Sequence, residues 1–171
     1  MSSERAGDPF ITYLIELREK RNLGALATLR RGLGRPIGAV PEMFRYIVPR
    51  LPNNLTPWEE RVHYMVASLF AMYPSSVGHG NLGHTLKELE RATGQGRGEG
   101  ISSVERRLLV ILKSDTETLP DHLRHAISLI SSKGLPINWD RLLWDLKGWN
   151  WDDKRVQKKW AESFWSNEVE Q

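Results

Sequence analysis

The chain has 171 residues, of which 40% are hydrophobic and seven are tryptophan, enough apolar material for one good core or two small ones; with no cysteine, disulfides, zinc–cysteine sites and thiol catalysis are excluded. No apolar run approaches the ~20 residues of a membrane span and the N-terminus has no signal-peptide core, so a cytoplasmic protein with no membrane partner is expected. The net charge of +3 is small and only its distribution is informative: residues 18–50 hold eight basic residues against two acidic, whereas from Ile101 onward eleven of each sign balance, so any basic surface there must come from sorting the signs onto different faces.

The elements read as helices in chain order. Asp8-Pro9 is an N-cap with proline at the first helical position, leading into Phe10, Leu14 and Leu17. Thr56 and Glu59 form a capping box that launches Val62, Met65, Val66, Leu69 and Tyr73, a run that Pro74 ends. Seven of the fourteen glycines then fall between Gly78 and Gly100. That stretch, above all "TGQGRGEG", predicts a flexible connector and sets the expected boundary between an N-terminal helical domain, 1–100, and a C-terminal helical bundle, 101–171. Ser102 and Glu105 make a second capping box for a helix whose apolar stripe is Val104, Leu108, Ile111 and Leu112; turning it at 100° per residue sets Arg106 and Lys113 nearly opposite that stripe and Arg107 on its flank. Leu119, Leu123, Ala126, Ile127 and Ile130 form the next stripe, stopped by Gly134, with Arg124 well away from it. Asn138 can cap a helix carrying Leu142, Leu143 and Leu146 that Gly148 closes. Asp152 can cap the last helix, in which Val156, Trp160, Ala161 and Phe164 face the core while Lys154, Arg155, Lys158 and Lys159 fill the complementary arc without an acidic residue among them. No strand pattern of useful length and no internal repeat is present, so the fold class is all-α, as two small helical bundles joined by the glycine-rich connector.

Catalytic constellations are poor. "GHGNLG" matches G-x-G-x-x-G at Gly78, Gly80 and Gly83, but a helix and Pro74 precede it where a dinucleotide site needs a strand, so it reads as a loop. His63, His79 and His84 lack the cysteines or the HExxH pairing of a metal site, no nucleophile motif occurs, and Asp140, Asp145, Asp152 and Asp153 are explained by caps and polar faces. The expectation is therefore no catalytic residue, no cofactor and no metal. The tryptophans Trp139, Trp144, Trp149, Trp151, Trp160 and Trp165 crowd the last two helices, and core filling accounts for them better than base stacking does. For the clustered cations two readings stand: a solvated helix face, or a surface that tracks phosphates and gains affinity by counterion release.

A set of segments in fixed order resembles a known family. "LRR" at 29–31, "FRYIVP" at 44–49, "ASLFAMYP" at 67–74, "NLG" at 81–83, "SSVERRLLVILKSD" at 102–115, "LPDHLRHAISLI" at 119–130, "INWDRLLWDL" at 137–146 and "WAESF" at 160–164 together look like the CasB family, the small subunit of the type I-E CRISPR Cascade complex. The resemblance covers most of the chain. It implies a non-catalytic, all-helical protein of two bundles that sits as a pair with a second copy of itself, contacts the other Cascade subunits and the guide RNA, and helps hold single-stranded and R-loop DNA, in particular the displaced non-target strand. Carried over by position, the family's basic residues match Arg30, Arg31, Arg45, Arg106, Arg107 and Arg124, whereas Arg35, Lys113, Lys154, Arg155, Lys158 and Lys159 rest on the helical-face argument alone. A helical DNA-binding regulator and a purely structural adaptor stand as alternatives; the first requires a helix-turn-helix, the second only packing surfaces.

Overall fold

The computed structural model describes residues 7–75, 77–95, 98 and 100–166. It is all-α: nine α-helices and two 3-10 turns lie among the described residues, with a single isolated parallel bridge between Val77 and Ile137. The chain divides into two compact units, Met1–Pro74 and Ser75–Gln171.

The first unit holds α1 (Pro9–Glu19), α2 (Leu23–Arg30), α3 (Phe44–Ile47) and α4 (Pro57–Met72), with 3-10 turns at Pro41–Met43 and Val48–Arg50 on either side of α3. Local chemistry sets the helix starts. Asp8 accepts the Phe10 N–H at 2.8 Å, Asn22 accepts from Ala25, and Thr56 and Glu59 complete a reciprocal capping box. α4 is the central element, buried along Val62, Val66, Leu69 and Phe70, and it packs against α2, whose buried residues are Ala25, Leu26 and Leu29. His63 is fully buried; its Nδ1 donates to the Glu59 carbonyl at 2.7 Å and its ring meets Phe10 edge-on at 4.9 Å.

The second unit holds α5 (Leu82–Ala92), α6 (Ser103–Lys113), α7 (Leu119–Ser132), α8 (Trp139–Lys147) and α9 (Arg155–Trp165). α5 packs against α9, α6 and α7. Gly83 explains the closest of these approaches, because a Cβ there would run into the Trp160 carbonyl of α9. Asn81 ties the same contact twice, capping α5 through His84 N–H at 3.0 Å and donating its amide to the Lys159 carbonyl and the Ser163 hydroxyl. The G-x-G-x-x-G glycines thus serve helix packing and the turn that precedes it, with α4 rather than a strand upstream.

The division falls at Pro74/Ser75, whereas the sequence places it at residue 100. The physical reason is α5: Leu82, Leu86 and Leu89 find their partners on α9 and α6, far along the chain, so the helix groups with the later elements. Of the expected connector, residues 96, 97 and 99 lie outside the described residues.

Two cap assignments also change. Ser102 does cap α6, accepting the Glu105 N–H at 3.0 Å, but the Glu105 carboxylate takes the Trp165 indole N–H. α9 is not capped by Asp152; its N-cap is Lys154, in a left-handed conformation at φ 55°, and Asp153 accepts the Arg155 N–H.

Candidate nucleic-acid interface

In the first unit the sequence-predicted cations sit where helices end. Arg30 is the last residue of α2, Arg31 its C-cap, and Arg35 lies in the turn beyond; all three are exposed. Cations at a helix C-terminus complement the partial negative charge there, which gives Arg30 and Arg31 a structural use besides any ligand. Arg31 reaches Glu42 at 4.0 Å, bringing the end of α2 beside the turn that leads into α3, where Arg45 is exposed and lies 5.3 Å from the Tyr46 ring centroid. Arg50, which the sequence reading passed over, stacks on Tyr13 at 4.4 Å; burial pushes the Tyr13 hydroxyl above its ordinary range while Arg50 pulls the other way.

In the second unit α6 places its cations as the helical geometry requires. Arg106 and Lys113 are exposed opposite Val104, Leu108 and Ile111, and Arg107 is half-buried on the flank, its Nε enclosed and without a hydrogen-bond partner among the described residues. Arg124 is exposed on α7. On α9, Arg155, Lys158 and Lys159 are exposed, and so is Lys154 at its cap. The expectation of an acid-free arc does not hold. At 100° per residue Glu162 falls between Lys158 and Lys159 and takes the Lys159 ammonium at 3.3 Å, while Asp153 holds the Arg155 guanidinium through Nε at 3.0 Å and Nη2 at 2.8 Å. Arg30, Arg35, Arg106, Lys113, Arg124 and Lys154 make no ion pair among the described residues.

α6 is tied at both ends to the segment that ends in α9. Glu105 meets Trp165 at one end, and at the other the Ser114 carbonyl accepts from Trp149 Nε1 at 3.0 Å, with the Trp149 ring packed 5.0 Å from Trp160. Lys113 thus precedes the residue that Trp149, in the turn before α9, holds. Arg106 and Arg107 sit at the Trp165 end, about 15 Å along the axis from Arg155 at 1.5 Å per residue. The unit carries two separated cationic regions instead of one stripe.

The tryptophans divide as well. Trp139, Trp149 and Trp160 are fully buried, as core filling predicts, but Trp144, Trp151 and Trp165 are 56%, 44% and 42% exposed. The apolar stripe that α8 turns to the core is Trp139, Leu142, Leu143 and Leu146, and Trp144 stands off that stripe with Lys147 5.8 Å from its ring. Asp145, expected on a polar face, is buried: it accepts from Trp160 Nε1 at 2.8 Å and Arg141 Nε at 3.0 Å. Burial pushes its carboxyl above the usual carboxylate range, against the Trp160 hydrogen bond and the Arg141 charge. No cluster of three or more histidine, cysteine or acidic side chains is placed to hold a metal ion, and no helix is long and apolar enough to cross a membrane, among the described residues.

Residues 25–165 match the model of the CRISPR-associated protein Cse2 family. The chain is 34% identical over 161 residues to the CRISPR-associated protein Cse2 of Thermus thermophilus, a match that covers 93% of this chain and 89% of that protein. The crystal structure of CasB from Thermus thermophilus superposes with a TM-score of 0.77 at 31% identity, covering 92% of this chain and 96% of that one. A chain in a solved CRISPR RNA-guided surveillance complex superposes with a TM-score of 0.76 at 26% identity, covering 92% and 89%.

Proposed function

This chain belongs to the CRISPR-associated Cse2 family, and from that membership we propose that it is a non-catalytic small subunit of a Cascade-type guide-RNA surveillance complex. In that role it binds nucleic-acid backbone without sequence preference and stabilises the R-loop by holding the displaced non-target strand. Its partners are the other subunits, the guide RNA and a second copy of itself. The carrying observation is the likeness, over 92% of the chain, to a protein solved inside a CRISPR RNA-guided surveillance complex. The charge geometry supports the reading: exposed cations spread over helix ends and faces suit phosphate contacts, and in such assemblies base pairing by the guide supplies the sequence specificity.

Titration with single-stranded DNA at several salt concentrations tests the chemistry. With about four to five phosphates neutralised, the log–log salt slope is expected to be about −3, from roughly −0.7 per contact. Charge reversal at the unpaired positions, Arg30→Glu with Arg35→Glu, or Arg106→Glu with Lys113→Glu, is expected to shallow that slope. In the assembled complex the same changes should destabilise the open R-loop more than initial target recognition, read by footprinting of the displaced strand. Variants that fold, co-purify with the complex and hold the R-loop as the parent does would refute the assignment.

A further inference from the structure

The turn between α8 and α9 is anchored on its inner side. Trp149 donates to Ser114, its carbonyl accepts the Gln157 amide at 2.9 Å, and its ring packs on Trp160. Two residues on, Trp151 faces outward instead. Its ring lies against the bare backbone of Gly148, so close that a Cβ there would stand 2.8 Å from Cε3 and Cζ3. Arg155 lies over the ring, 4.9 Å from its centroid, and both of the Arg155 side-chain bonds to Asp153 hold the guanidinium in one orientation. Lys154, between them, occupies left-handed backbone that a non-glycine residue adopts at a cost, of the kind found where a segment is held for use. Residues 147–159 carry five cations against Asp152 and Asp153, and Asp153 is already committed to Arg155.

We propose that Trp151 and Arg155 form a stacking platform for an unpaired nucleobase of a single strand. The inference rests on the nucleic-acid role above and sharpens it from backbone contact to a contact with bases. An indole backed by packing and overlaid by a fixed guanidinium is a rigid π surface that has paid its ordering cost in advance, and the adjoining chain carries exposed Lys154 and Lys158, whose charge suits phosphates. Stacking on aromatic and guanidinium planes tolerates every base, which fits a subunit that does not read sequence. Bases of an intact duplex are already stacked on each other, so the platform favours separated strands.

The test compares an oligo-deoxythymidine with an abasic oligomer of equal length and with a duplex, bound to the full chain at one low salt concentration. Trp151→Ala is expected to weaken oligo-deoxythymidine binding by about 5- to 150-fold, the range found for loss of one stacked base, and to change abasic and duplex binding less than about twofold. Trp151→Phe should retain most of the affinity, and Arg155→Lys should lose part of it while keeping the salt slope. Circular dichroism checks that each variant is folded. If Trp151→Ala weakens the abasic and thymidine strands equally, or neither, the platform is refuted while the backbone role stands. If the parent protein binds neither strand, the nucleic-acid role falls and the platform with it. Unaltered strand binding with loss of assembly into the complex would assign Trp151 to a protein contact instead.

Discussion

Two sets of the same three residue types meet opposite fates in the second unit. Asp145, Trp160 and Arg141 form a buried arrangement in which the indole presents its edge, donating Nε1–H to a carboxylate that is 5% exposed. Asp153, Arg155 and Trp151 form an exposed arrangement in which the indole presents its face to a guanidinium and the carboxylate holds that guanidinium in place. The edge of a tryptophan is a single donor that a core must satisfy; its face can carry a guanidinium whose own outer plane can go on stacking. Composition is the same in both. What separates structural from available chemistry here is which part of the ring the fold has used.

The largest test of that contrast is stability. Trp160→Ala should cost about 3–5 kcal/mol in urea denaturation, since it empties a fully buried indole site beside Trp149, whereas Trp151→Ala should stay within about 0.5 kcal/mol. A comparable loss at both positions would erase the distinction between them and make Trp151 a structural residue.

The carboxylates provide the next test, with opposite signs in pH. Asp145→Ala leaves the Trp160 N–H without its acceptor in the interior and should cost about 1–3 kcal/mol, while Asp153→Ala should barely move the unfolding midpoint. Because burial raises the Asp145 carboxyl in the folded protein, its contribution is full below the ordinary 3.8 and is lost as pH rises through the higher folded value. Hydrogen bonds from Arg155 lower Asp153, so its contribution is present above 3.8 and is lost as pH falls through the lower folded value. Midpoints for the parent protein, Asp145→Asn and Asp153→Asn across this acidic range should therefore diverge in opposite directions as pH rises: the parent loses ground against Asp145→Asn above 3.8 and gains ground against Asp153→Asn up to 3.8. Divergence in the same direction would show that burial does not govern Asp145.

The contrast also marks how far the residues alone could be read. The helices and most of their caps were legible because an N-cap and a 3.6-residue stripe are local: Asp8, the Thr56–Glu59 box, Asn138 and the α6 stripe all act within one turn of themselves. Asp145 was not legible, since an Arg141–Asp145 pair one turn apart reads as surface charge until Trp160 arrives from another helix. The same holds for α5, whose apolar stripe says that it is buried but not against what, so the glycine-rich composition drew the boundary too late. Trp144 was within reach: the helical wheel that placed the lysines sets it off the Leu142–Leu146 stripe. Trp151 was beyond it, because residues 148–154 follow no period and the left-handed Lys154 has no sequence signature. Among the candidate cations, Glu162 was legible from spacing alone and was overlooked on the arc it shares with Lys159.

That overlooked acid supplies the smallest and most discriminating test. Lys159 and Glu162 are both about two-thirds exposed, so breaking the pair should change stability by no more than about 0.5 kcal/mol. Its effect on strand binding should be larger than its effect on folding. An ammonium already facing a carboxylate neutralises less of an arriving phosphate's charge and so releases fewer of the strand's condensed counterions, so Lys159→Ala should shallow the salt slope by less than the ~0.7 expected on removing the unpaired Lys154. Glu162→Gln frees the same ammonium without touching it and should steepen the slope toward the unpaired value. If Lys159→Ala removes a full contact and Glu162→Gln does nothing, the carboxylate does not compete with phosphate, and the paired and unpaired cations of α9 are equivalent toward a strand.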